Sequence, residues 1–166
     1  MNQRTGANLA ASIRQRLLNM ARETGRPFNE MLQYFAMERF LYRLTKSLHA
    51  DKFILKGALM LTAWQAPVSR PTMDIDLLGL TNNSIDAIVA VTKTICTQVV
   101  EPDGLTFEPE SVEGERIVED ADYEMEEFDI PHVDVIIGGL LCQGFSLVGC
   151  GKVRSLRKVV RGYVLR

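Results

Sequence analysis

Apolar residues recur at helical spacing from Asn8 to Thr24: Leu9, Ile13, Leu17, Met20 and Ala21 form one stripe, and Arg14, Arg16 and Arg22 fall on other faces. Gly25, Arg26 and Pro27 interrupt that pattern. Asn29 is then placed to cap a second helix, whose stripe is Leu32, Phe35, Ala36, Phe40 and Leu44 and which fades near Ser47. Two amphipathic helices with a tight link predict a helical hairpin, a lid or flank on the rest of the chain.

The period changes at Lys52. KFILKG reads as a short apolar strand that runs into glycine, and ALMLTAWQ after it has helix-forming composition. Ala66, Pro67 and Val68 end that helix, and the loop SRPT leads into a second strand, MDIDLLGL. Asn82 and Asn83 mark a turn, Ser84 is a plausible cap, and IDAIVAVTKTICTQVV reads as a helix despite its β-branched residues. The extended segments GLTFEP, ERIVE and HVDVIIGG come next. Helices first, then strand–helix–strand–helix–strands, predict an α+β (α/β-like) fold: a helical hairpin beside a mixed sheet flanked by helices.

At 166 residues, with 46% apolar and 24% charged residues, the chain has the length and composition of a globular protein with a real core. Its net charge of -2 conceals an asymmetry, because no acid follows Asp134 while Lys152, Arg154, Arg157, Lys158, Arg161 and Arg166 do. Such a basic stretch reads first as solvated surface and second as a contact for phosphates. The first residues lack the apolar core of a secretory signal. Cys96, Cys142 and Cys150 have no CxxC spacing, and His49 and His132 are isolated, so no disulfide framework or zinc site is indicated. VIIGGLLCQGFSLVG is apolar but shorter than the roughly 20 residues of a spanning helix. A cytoplasmic protein without a membrane partner is the expectation.

The candidate chemistry lies in RPTMDIDLLG. Residues two apart on a strand point the same way, so Asp74 and Asp76 project together while Ile75 faces the other side. Paired carboxylates repel unless a cation, water or a proton compensates. Mg2+ prefers oxygen ligands and is typically held by one or two carboxylates, with substrate phosphates and water completing its shell. Upstream, strand, glycine turn and helix form the geometry that presents backbone N–H groups to an anion, here at Lys56, Gly57 and Ala58. Lys56 would neutralise phosphate charge. Arg70 and Thr72, just before the acids, either contact substrate or form the loop. Asp134, alone in the apolar HVDVIIGG, is the candidate third carboxylate, because an acid left unpaired there is costly. Each element also has a plain structural explanation; their order along the chain is more specific than any one of them.

These residues resemble the nucleotidyltransferase family of AbiEii/AbiGii toxins, the toxin half of abortive-infection and type IV toxin–antitoxin pairs. The likeness covers most of residues 10 to 137, through SIRQRLLNMARETGRPF, MERFLYRLTKSLHADKFILKGALML, RPTMDIDLLG and DGLTFEPESVEGERIVEDADYE. The resemblance implies a polymerase-beta-like nucleotidyltransferase core over residues 51–139, after a helical segment 1–50 and before a divergent basic tail 140–166. It implies that Gly57 and Ala58 contact phosphate, that Asp74 and Asp76 bind Mg2+, and that Asp134 is the acid of the later strand. The implied reaction transfers a nucleoside monophosphate from an NTP to an acceptor, with RNA such as tRNA the expected acceptor and a cognate antitoxin a possible partner.

The chain departs from the family pattern in three places. Ala58 replaces a second glycine, the stretch between Tyr123 and Asp134 is short, and the likeness stops after Gly139. The family normally continues into a helical half bearing a further lysine motif. The alternative expectation is therefore a truncated, non-catalytic remnant that binds antitoxin, nucleotide or RNA without turnover. A haloacid-dehalogenase-type phosphatase also pairs acids at this spacing, but follows them with Gly-Thr, where this chain has Leu77 and Leu78.

Overall fold

The computed structural model describes residues 3–63, 72–117, 132–137 and 160–163. The first helix, α1 (Gln3–Thr24), is followed by α2 (Phe28–Lys46). Between them Gly25 adopts a left-handed backbone, φ 67°, and the Arg26 N–H bonds the Ala21 carbonyl at 3.1 Å. That is a Schellman closure, in which glycine takes the conformation that a Cβ disfavours. The α2 cap is Pro27 and not Asn29, which lies inside the first turn. Pro27 takes the position because its ring φ of -59° suits the helix start and it has no N–H to satisfy. Ser47 ends α2 as the sequence suggests, its hydroxyl donating to the Leu44 carbonyl.

The sheet begins with β1 (Phe53–Lys56), which runs directly into the short helix α3 (Gly57–Ala63). Then come β2 (Ile75–Leu80), α4 (Ile85–Cys96), β3 (Gly114–Ile117), β4 (His132–Ile137) and β5 (Val160–Tyr163). Ser84 caps α4, its hydroxyl accepting from the Ala87 N–H. This helix stops at Cys96, so the adjoining TQVV is not helical. GLTFEP forms no strand; it is irregular and leads into a 3-10 turn at Pro109–Ser111. The strands form a mixed sheet in the order β1-β2-β4-β5-β3, antiparallel except for the β3–β5 pair. Its β5 comes from the stretch read from sequence as a basic tail. The class is α+β, as expected.

One core joins hairpin and sheet. Ile75 and Leu77 of β2 and Val135 and Ile137 of β4 are buried on one sheet face. They share a cluster with Leu17 and Ala21 of α1, Met31, Met37, Phe40 and Leu44 of α2, and Ile88 and Ile95 of α4. The hairpin is thus part of the wall against which the sheet packs. On the opposite face the same register aligns Ile54, Lys56, Asp76, Leu78 and Leu80, which are only partly buried or exposed. Among the described residues no helix is long and apolar enough to cross a membrane.

A polar anchor ties α2 to the irregular segment after α4. The Arg43 guanidinium bonds both oxygens of Asp103, at 2.6 and 3.1 Å, and Arg39 Nε donates to the same carboxylate at 3.1 Å. Arg43 also lies over the Phe107 ring, 4.8 Å from its centroid, and Phe107 meets Phe40 edge to face. GLTFEP is therefore held by side chains and not by a strand partner: Leu105 and Phe107 fill the core while Asp103 takes up the buried arginine. Burial alone would raise the Asp103 carboxyl. Hydrogen bonds from Arg43 and the Leu105 N–H, with the Arg43 charge and a further bond from Arg39, outweigh it and hold Asp103 below the usual carboxylate range.

Breaking this pair leaves a buried charge uncompensated, so Asp103→Ala should lower unfolding free energy by about 3 kcal/mol in denaturant titration. A folded-state pKa below the unfolded one stabilises above the ordinary Asp value of about 4 and is lost as pH falls through the lowered value. The parent should therefore lose stability on acidification below pH about 4 more steeply than Asp103→Ala.

Candidate functional site

β1 and α3 meet at Gly57. Its backbone is left-handed, φ 68°, a conformation that costs other L-residues about 1–2 kcal/mol. A Cβ built on Gly57 would lie 2.0 Å from Asp76 Oδ2, 2.9 Å from its Cγ and 3.1 Å from its Cβ. Glycine is needed there twice, for the turn and for the space that the carboxylate occupies. Asp76 thus lies at the start of α3, where the aligned peptide dipoles favour negative charge.

The register brings the other candidates to the same place. Lys56 pairs with Asp76 across β1 and β2, and residues directly opposite in antiparallel strands share a face at about 4.5–5.5 Å between Cβ atoms. Asp74 immediately precedes β2; it is half-buried, Ile75 is fully buried and Asp76 is half-buried, the alternation expected of a strand. In β4, Ile136 pairs with Asp76 and Asp134 with Leu78, so position 134 lies one diagonal step from Asp76 on the same face. The side chain of Asp134 lies outside the described residues, as does Arg70.

Thr72 approaches the acids through its backbone neighbours. Its hydroxyl donates to the Asp74 carbonyl at 3.2 Å and accepts from the Asp74 N–H at 3.4 Å. The segment is gripped from behind by α2: the Thr72 N–H donates to Tyr34 Oη at 3.1 Å, and Gln33 Nε2 donates to the Met73 carbonyl at 3.0 Å. Nothing in the sequence pattern singles out Gln33 and Tyr34. Their partners lie 40 and 38 residues away, beyond any local signal.

Asp76 presents carboxylate oxygens on this face, the type of donor that a hard divalent cation takes. Among the residues whose side chains are described, no group of three or more His, Cys, Asp or Glu comes together. Asp74 and Asp76 lie two residues apart, and position 134 is the register neighbour of Asp76 that would add a third.

A family model described as nucleotidyl transferase AbiEii toxin, type IV TA system, matches residues 39–140. The chain belongs to the AbiEii family. The matched span begins within α2 and closes just past β4, so Gly57, Asp74, Asp76 and Asp134 all fall inside it. No curated protein and no solved structure matches the chain. Membership in the AbiEii family makes this the toxin type of a type IV toxin–antitoxin pair, and so implies an antitoxin partner.

For this AbiEii-family chain the Gly57–Asp76 contact can be measured. Gly57→Ala should destabilise by more than the about 1–2 kcal/mol of a left-handed alanine, because the new Cβ must also displace the carboxylate. In an Asp76→Ala background the excess should vanish. Denaturant unfolding of the four proteins as a double-mutant cycle reads the coupling, and strict additivity would contradict the contact.

Proposed function

We propose that the chain is a metal-dependent nucleotidyltransferase, transferring a nucleoside monophosphate from an NTP to an RNA acceptor such as tRNA. What supports this reading is the seating of Asp76 against the left-handed Gly57, with Lys56 opposite and Asp74 two residues before it. Family membership supplies the reaction class.

In this reading Asp74 and Asp76 would hold Mg2+ with Asp134 completing the set, and the ion would supply charge neutralisation on the triphosphate. Lys56 adds a positive charge beside the phosphates, and the Gly57–Ala58 turn borders the site through the space at position 57 that the Asp76 carboxylate fills. The acceptor hydroxyl forms the new bond to the α-phosphorus as the bond to pyrophosphate breaks, and Asp134 takes up the hydroxyl proton. Catalysis of this kind is chiefly positioning and charge neutralisation, tasks for fixed strands and not for a mobile acid–base pair.

Asp76→Ala and Asp74→Ala should each abolish incorporation of labelled NTP into RNA while unfolding stays cooperative. Activity equal to the parent in either variant would remove the assignment. Nucleotide binding that survives with no transfer to any RNA pool would favour a binding protein over an enzyme.

A further inference from the structure

The acids of the site depend on a segment that the sheet itself does not fix. The first registered pair of β2 with β4 is Ile75 with Ile137, and the β1 pairing reaches only Asp76. Asp74 precedes both. Its backbone is instead tied to the Thr72 hydroxyl, and the two residues before it are tied to α2 through one N–H and one carbonyl.

The geometry points to Gln33 and Tyr34 as positioning residues that set the separation of the Asp74 and Asp76 carboxylates, an inference that rests on the nucleotidyl-transfer reading. α2 is suited to the role because it is immobilised on its other sides. Met31, Ala36, Met37, Phe40 and Leu44 are buried in the core, and Arg43 is locked to Asp103. Tyr34 is steadied from the hairpin turn, where Arg26 lies 5.1 Å from its ring centroid and pairs with Glu30. The chain of contacts runs from the turn through Tyr34 to Thr72 and on to Asp74. Gln33 and Tyr34 grip adjacent residues, one by donating and the other by accepting, so together they fix both the placement and the rotation of the peptide that leads into the acids.

Precision matters there for a physical reason. Mg2+ demands near-ideal octahedral geometry and tolerates little misplacement of its ligands. Residues that orient a metal's ligands typically alter metal affinity or activity by about 10–100-fold when replaced. Neither residue would touch substrate or metal, so their loss should appear in metal affinity and not in the Michaelis constant for NTP at saturating metal.

The test is Mn2+ titration of the full chain, followed by the spin-resonance signal of the free ion, with Asp76→Ala as reference. Tyr34→Phe removes only the acceptor oxygen, Gln33→Glu removes the donor at constant shape, and Gln33→Lys keeps a donor. The expected result is a loss of about tenfold in Mn2+ affinity for Tyr34→Phe and Gln33→Glu, with near-parent affinity for Gln33→Lys and unchanged unfolding midpoints. If these variants bind Mn2+ like the parent while Asp76→Ala does not, the positioning role is overturned and the proposed function stands. If Gln33→Lys fails to recover affinity and the variants lose stability in parallel, the contacts are merely structural and the inference is again overturned. If Asp76→Ala itself binds Mn2+ like the parent, the metal reading fails first and takes this inference with it.

Discussion

No side chain fits between position 57 and the carboxylate of Asp76. An added Cβ would lie 2.0 Å from Oδ2, closer than any non-bonded contact allows, so the end of β1, the start of α3 and the second acid of the candidate site share one small space. The constraint joins two segments separated in sequence by α3 and the loop before β2. It also requires that β1 and β2 pair in the observed register, with Lys56 opposite Asp76. A different register would take the carboxylate out of the turn.

The helices answer a second need, which is to back the sheet with something rigid. α2 does this by two means. Its apolar stripe enters the core with Ile75, Leu77, Val135 and Ile137, and its arginines reach across to Asp103. Buried ion pairs are not strong evidence of net stability, because desolvation offsets much of the attraction. Here the pair has a structural consequence whatever its net energy. It holds the irregular segment from Asp103 to Phe107 in place where a strand would otherwise need a partner, so that Leu105 and Phe107 can fill the space beneath α2.

Much of this was legible in the sequence where the signal was local. Alternation in MDIDLLGL marked β2 and put Asp76 on the face opposite Ile75 and Leu77, and the glycine after KFILK marked the turn into α3. Ser84 announced its helix because capping depends on a few adjacent residues. The misreadings share a cause. Asn29 has the chemistry of a cap, but Pro27 two residues earlier already fits the helix start, so position and not propensity decided the boundary. GLTFEP has strand composition, yet its backbone is fixed by Arg43 from some sixty residues away. The strand Val160–Tyr163 lies among basic residues whose composition says nothing of sheet pairing. Gln33 and Tyr34 look like ordinary members of an amphipathic helix until the fold brings Thr72 and Met73 beside them.

The two-sidedness of β2 carries a consequence for errors in assembly. Ile75 and Leu77 alternate with Asp76 and Leu78, so a slip by a single residue would exchange the faces. It would drive a carboxylate into the apolar interior and push a fully buried isoleucine or leucine out into water. A mispaired molecule would therefore be strongly disfavoured, and a molecule that folds has Asp76 turned to the face opposite the core. Foldedness and the orientation of position 76 are then secured by the same alternation.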